Sequence, residues 1–467
     1  MQPNPFELKP KSCWEVYAAD EHRRAMDELA TRYLDFLTQC KTERETIDWV
    51  LERVAAAGFV DDLSASRVAR AFRGKTIFLA RRGKRSLSEG LRLLGAHADS
   101  PRLDLKGRPL YEECGVGLGK THYYGGIRKH QWLARPLALH GVVVKTDGRV
   151  VRITLGEDPV DPVLTILDLL PHLAYEQMEK TVTKAFEAEK LNVVLGHAPV
   201  LSSKEGENGA NGENTQTKGR VKAGVLALLN QRYGLIEEDL YSAELQAVPA
   251  GPARSVGLDG ALLGGYGHDD RICVFAGLEA MLATPDPEHT QILIFWDKEE
   301  IGSEGATGAQ SLYLEYCLED LIRNWSPATR LAEMLLHTKA ISADVHGALD
   351  PDYQDVHEKL NSALIGYGPC FCKFTGHRGK VGANDADAEY VGWLRNLMTA
   401  NGIPWQMAEL GRVDLGGGGT VAKYLAKYGM NIIDAGPPIL SMHSPFEIAS
   451  KADLYATMLA YTAFLAS

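Results

Sequence analysis

The feature that most constrains this chain is a set of short apolar runs in its C-terminal part. They are "QILIFW" (291–296), "KAISADV" (339–345), "PCFCKF" (369–374) and "NIIDAG" (431–436). Helically spaced stretches such as "AEYVGWLRNLMTAN" (388–401) and "GTVAKYLAKYG" (419–429) separate them. Strands that are apolar throughout are buried on both faces, and alternation with helices is the pattern of a sheet covered by helices. From about residue 269 onward the sequence therefore predicts an α/β layer. Upstream, residues 18–57 have helical spacing, few breakers and a glycine after the run, which predicts helix. "TIFLARRG" (76–83) and "RLLGAHADSPRLDLK" (92–106) read as strands. From about 107 to 165 the pattern shifts to short strands with Gly-rich turns; residues 137–155 read as a hairpin turning at Asp147-Gly148. The stretch 202–220 is Gly, Asn, Glu and Ser with almost nothing apolar, and reads as a flexible loop or one ordered by a partner. Helical spacing resumes at 221–235.

The 467 residues suffice for two or three domains with a large core. A formal net charge of -11 argues against a protein held to nucleic acid by phosphate contacts. The short basic run "RRGKR" (81–85) reads as a solvated turn. Seven cysteines without a CxxC pair fit a reducing compartment. There is no apolar signal-peptide core in the first residues, and no stretch reaches the ~18 apolar residues of a membrane helix. The expectation is a cytoplasmic protein with no membrane or nucleic-acid partner.

Acids and histidines recur where apolar segments end. His97 and Asp99 lie in "GAHADSP", Asp269 and Asp270 in "GGYGHDD", Glu299 and Glu300 in "DKEEIGSEG", Asp344 in "SADV" and His443 in "SMHSP". Open α/β sheets place ligand sites at such strand ends. Each stretch alone also fits a structural role: a hydrogen-bonded histidine, an N-capping aspartate, a solvated pair of glutamates. Together, two histidines and several carboxylates beside small residues suit a pair of divalent ions of the zinc, manganese or cobalt kind. Two ions ~3.5–4 Å apart need a bridging carboxylate. The His97-x-Asp99 spacing permits the aspartate to support the imidazole through its other nitrogen. Adjacent glutamates divide the work: one binds metal, and the other takes a proton from the attacking water. HExxH, G-x-S-x-G and P-loop motifs are absent. The glycine run "DLGGGGT" (414–420) reads either as a phosphate-binding loop or as a tight loop whose backbone comes close to a substrate.

Taken in order, these five stretches resemble the M18 family of metalloaminopeptidases, whose members include aspartyl aminopeptidases. The likeness is strongest from "GGYGHDD" to "SKADLY" and extends to "GAHADSPRLDLK" and "TILDLLPHLA". It implies a three-layer α/β catalytic domain of phosphorylase/hydrolase type (1–106 and 246–467), interrupted by a smaller β-rich dimerisation and assembly domain (107–245). It implies two zinc ions per subunit, with cobalt or manganese as alternatives. His97 and Asp344 would be ligands, Asp269 the bridge, and Glu300 and His443 the remaining ligands. Glu299 would be the general base and Asp99 the support of His97. The neighbouring Asp270 stands where relatives often carry Asn. The resemblance further implies that Lys373 meets an acidic substrate side chain. It implies that His172 reaches into a neighbouring subunit's site, and that the chain forms a homo-oligomer, a dodecamer of tetrahedral arrangement, acting on peptides. The alternatives are a related deacylase or carboxypeptidase with the same metal pair, or an inactive scaffold of the same fold.

Overall fold

The computed structural model describes residues 6–200 and 219–467. The stretch 202–220 thus lies outside the described residues, apart from Gly219 and Arg220. The chain divides into two compact units, Met1–Ser100 with Ala253–Ser467, and Pro101–Pro252. The borders fall outside those expected at 106/107 and 245/246. The reason is strand pairing: Gln246 lies opposite Asp104 and Ala247 opposite Leu103, so strands Arg102–Glu113 and Ala243–Pro249 share one sheet.

The first unit is built on an eight-stranded sheet. Its order is Arg67–Phe72, Thr76–Arg81, Gln291–Trp296, Arg92–His97, Lys339–Ser342, Asn431–Gly436, Cys370–Cys372 and Gln406–Met407. The four strands from Gln291–Trp296 to Asn431–Gly436 run parallel, with Trp296 opposite His97, Ser342 opposite Gly95, and Ser342 opposite Asp434. Their C-terminal ends therefore form one edge, and the chain leaves it at Asp297, Ala98 and Ala343.

Side chains alternate across this sheet as the pleat requires. Leu293, Phe295, Leu94, Ile341 and Ile433 pack with residues of helices Asp20–Gln39, His268–Ala283 and Lys451–Ala466. Ile292, Ile294, Trp296, Leu93 and Ile432 pack with residues of Tyr313–Trp325 and Leu331–Leu336. This gives the expected helix–sheet–helix layering and explains why the strands read as unbroken apolar runs. Each such buried side chain stabilises the fold by ~1.5–3 kcal/mol. Gly95 has a packing reason: a Cβ there would stand 2.4 Å from the Trp296 ring.

The helical reading of 18–57 is corrected to two helices, Asp20–Gln39 and Glu43–Ala56. The second is started by a capping box, in which the Thr42 hydroxyl accepts from the Glu45 N–H and Glu45 accepts from the Thr42 N–H. The segment 92–106 likewise resolves into two strands that part at Ala98–Pro101. A five-stranded sheet in the first unit, ordered Arg254–Val256, Leu262–Gly265, Glu447–Ser450, Pro438–Leu440 and His346–Gly347, carries the loop that holds His443.

The second unit is a seven-stranded sheet whose named strands pair antiparallel. Its hairpin joins Leu137–Val144 to Val150–Leu155, with Gly148 left-handed at φ 84°. Helix Arg220–Tyr233 lies against it, with Val221 and Val225 over Gly117. No helix among the described residues is long and apolar enough to cross a membrane.

Candidate metal centre

The edge formed by the parallel strand ends gathers the acids and histidines of the first unit. His97 closes its strand, and Asp344 follows the Lys339–Ser342 strand. Asp269 opens helix His268–Ala283 with non-helical dihedrals (φ -76°, ψ 108°), so its side chain departs from the helix path. Gly267 leads in at φ 78°; a Cβ there would fall 1.7 Å from the Arg271 guanidinium. Glu299 and Glu300 form a single 3-10 turn between left-handed Lys298 and Gly302. His443 sits at φ 64° between strands Pro438–Leu440 and Glu447–Ser450.

Two groups of ligand atoms result, each lying within 4.8 Å of one another: His97, Asp269 and Asp344, and Asp269, Glu300 and His443. Asp269 belongs to both. Its Oδ1 is 3.0 Å from His97 Nε2, and its Oδ2 is 3.2 Å from His443 Nε2. His97 Nε2 is 4.0 Å from Asp344 Oδ1, and His443 Nε2 is 3.4 Å from Glu300 Oε2. Asp270 turns elsewhere: its Oδ2 accepts from the His97 backbone N–H at 3.3 Å.

Asp99, fully buried, does more than support an imidazole. His97 Nδ1 lies 3.0 Å from the Asp99 carbonyl and 3.3 Å from its Oδ1. The two carboxylate oxygens accept from the backbone N–H groups of Glu299 (3.1 Å) and Glu300 (3.2 Å). One aspartate thereby ties His97 to the glutamate turn. Reading the sequence missed two further residues. Asp297 orders the loop after its strand, accepting from Thr307 Oγ1 at 2.6 Å and Lys298 Nζ at 2.8 Å. Glu447, buried, accepts from the N–H groups of Asp269 and His443. The available signal was a charged residue opening the otherwise uncharged strand "EIAS", four after His443.

The electrostatics ask for a cation. Burial would push Asp269 up, but the His443 and His97 rings beside it hold its carboxyl well below the usual range. Burial pushes Glu300 and Asp344 well up, and the neighbouring carboxylates add to it. Glu299 is raised to about 7, first by burial; Asp99 and Asp269 reinforce this, while His97 and His443 oppose it. Burial would lower His97 and His443, but the carboxylates around them win, and His443 is raised to about 10. Glu300 Oε1 is buried without a hydrogen-bond partner. A buried anionic oxygen left so is costly. Imidazole and carboxylate are zinc donors, and the arrangement fits a divalent ion in each group.

Two expected site residues are not members of these groups. Lys373 follows strand Cys370–Cys372, and its Nζ bonds Asp385 Oδ1 at 2.7 Å. Lys380 takes the other oxygen of Asp385 at 3.1 Å. His172 lies on an exposed 3-10 turn, Pro171–Leu173, of the second unit.

Residues 36–465 match the family described as aminopeptidase I zinc metalloprotease (M18). The chain is 44% identical to the "Probable M18 family aminopeptidase 1" of Clostridium acetobutylicum, covering 99% of both chains. It is 42% identical to that of Thermotoga maritima, covering 98% of this chain and 99% of the relative. The crystal structure of the Thermotoga maritima M18 aminopeptidase superposes with a TM-score of 0.91, covering 98% of this chain and 99% of that one. Yeast aminopeptidase 1, at 19% identity and a TM-score of 0.75 over 94% of this chain and 97% of that one, shares the fold. With the family model spanning nearly the whole chain and relatives matched end to end, the protein belongs to the M18 family of zinc metalloaminopeptidases.

Proposed function

We propose that the chain removes the N-terminal residue of peptides with two zinc ions and a glutamate base. The observation that carries this reading is the pair of three-residue groups sharing Asp269. His97 and Asp344 would hold one ion, Glu300 and His443 the other, with Asp269 within reach of both. Bound there, the pair supplies Lewis acidity toward the scissile carbonyl and its attacking water. Glu299, beside Glu300 but outside both groups, accepts a proton from that water and returns it to the leaving amine. Asp99 holds the His97 ring and the glutamate turn in place, so base and ligands keep a common frame.

Lys373 contributes to the choice of first residue, tempered by its pairing with Asp385. The chain works as a cytoplasmic homo-oligomer, with residues 101–252 as its assembly unit and His172 offered to a neighbouring subunit. Support comes from the exposed apolar side chains Leu167, Leu170, Leu173, Tyr175 and Met178 of that unit, and from a yeast relative described as a dodecamer. The deciding experiment compares aminoacyl and N-blocked peptide substrates with zinc-loaded protein. Hydrolysis of N-blocked substrates alone would overturn the aminopeptidase reading. Light scattering tests the assembly, and an active species near 51.1 kDa would refute it.

A further inference from the structure

Glu447 opens the strand Glu447–Ser450, where Gly265 lies opposite it. Two paths toward the metal centre meet there. Strand Leu262–Gly265 continues through Tyr266 and Gly267 into the helix that begins with His268 and Asp269. Strand Pro438–Leu440 continues into the loop that carries His443 and returns at Glu447. The carboxylate spans both: Oε2 accepts from the Asp269 N–H at 3.1 Å, and Oε1 from the His443 N–H at 2.6 Å. The residue is 1% exposed.

Both recipients hold backbone conformations that a regular element does not supply. His443 has φ 64°, a left-handed region that strains a residue with a Cβ unless its surroundings fix it. Asp269 is a non-helical residue in the first turn of a buried helix. A carboxylate is the natural side chain with two acceptor oxygens and no donor, so it can receive two N–H groups at once. Glutamine would turn one of those acceptors into a donor facing an N–H.

We propose that Glu447 is a positioning residue for the second ion, fixing the distance between Asp269 and His443. This rests on the two-zinc reading above. The selectivity follows from the connections. Asp269 keeps a second backbone tether, since its carbonyl accepts from Ser100 Oγ at 2.6 Å, whereas His97 and Asp344 have no bond to Glu447 among the described contacts. Loss of Glu447 therefore loosens the Glu300–His443 group more than the His97–Asp344 group. Asp99 plays the matching part for the glutamate turn, so two buried carboxylates frame the centre through backbone N–H groups.

The test titrates metal-free, full-length wild-type, Glu447→Gln and Glu447→Ala proteins with zinc against a chromophoric chelator. Circular dichroism in chelator verifies the fold, and the near-isosteric Gln variant guards against loss of folding in the Ala variant. The expected result is two ions for the wild type. In both variants the first ion is unchanged within about twofold and the second is weakened ~10–100-fold, the usual effect of removing an outer support of a metal ligand. Excess zinc then restores turnover in the variants. Two ions bound with wild-type affinity by both variants would overturn the proposal, as would equal weakening of both ions. A single ion in the wild type would overturn the two-zinc reading itself, and this outcome is recognisable because it appears without any substitution.

Discussion

Asp453 lies in the last helix, belongs to neither ligand group and is fully buried. Its Oδ2 accepts from the Gly366 N–H at 2.6 Å and its Oδ1 from the Gly368 N–H at 2.7 Å. Both glycines are left-handed, at φ 88° and 86°, so one carboxylate secures a turn that backbone pairing does not. Burial pushes this carboxyl up to about 7, against the two N–H donors. A folded value above the unfolded one (about 3.9) means that the folded state binds the proton more tightly. The contribution is whole below about pH 4 and is lost as pH rises toward 7, after which it is constant. Between pH 5 and pH 8.5 the wild type therefore loses roughly 3 kcal/mol at this residue, two pH units at 1.36 kcal/mol each. Asp453→Asn has no such dependence. At pH 5 it costs about 1–3 kcal/mol, because its amide presents a donor to one glycine N–H. At pH 8.5 that cost is offset by the charge no longer buried. For a unit of roughly 300 residues, the Tm difference between variant and wild type should shift by roughly 4 °C in favour of the variant from pH 5 to pH 8.5, closing or reversing the gap. Scanning calorimetry in chelator measures it. The same gap at both pH values would refute the reasoning, because it would mean that Asp453 does not change charge in this range.

Glu299→Gln should retain bound zinc and lose ~10²–10⁴-fold in kcat, measured as metal content and turnover on the same sample; full activity removes the base role. His97→Ala and His443→Ala should each lose zinc on dialysis, read by elemental analysis, and two retained equivalents in both would refute the ligand groups. Asp385→Ala frees Lys373 and Lys380 of their shared carboxylate, so turnover of a Glu-substrate should rise relative to a Leu-substrate. An unchanged ratio would dismiss Lys373 as a selector.

The sheet and the candidate ligands were legible because their signals are local. An apolar run such as "QILIFW" carries its burial in its own composition, and His97, Asp344 and Glu300 follow such runs closely. The break at Thr42 was equally local, in the Thr42-x-x-Glu45 box, but apolar spacing on either side conceals it. What a single chain does not display is partnership over distance. Glu447 meets Asp269 across 178 positions, Asp270 meets His97 across 173, and Asp453 meets Gly366 across 87. Glu447 and Asp453 look like surface charges until their partners are known, and Asp270 looks like a second candidate ligand. Lys373 is the converse case. Its matching position suggested a free cation, and only folding brings Asp385 to it across 12 positions.

The order of strands in the large sheet also governs how the chain emerges from the ribosome. Arg92–His97 has Gln291–Trp296 on one side and Lys339–Ser342 on the other, so neither neighbour exists when it is made. Asp99 waits 200 positions for Glu299. At ~5–20 residues per second, that interval is roughly 10–40 s. Through it, an apolar strand has both edges bare, the condition that invites pairing with a stranger. The Pro101–Pro252 unit is continuous in sequence and completes its own sheet within the interval. Helper proteins that shelter nascent chains should therefore matter most for the first hundred residues, and a version cut after Pro252 should aggregate through Arg92–His97 rather than persist as a half-made enzyme.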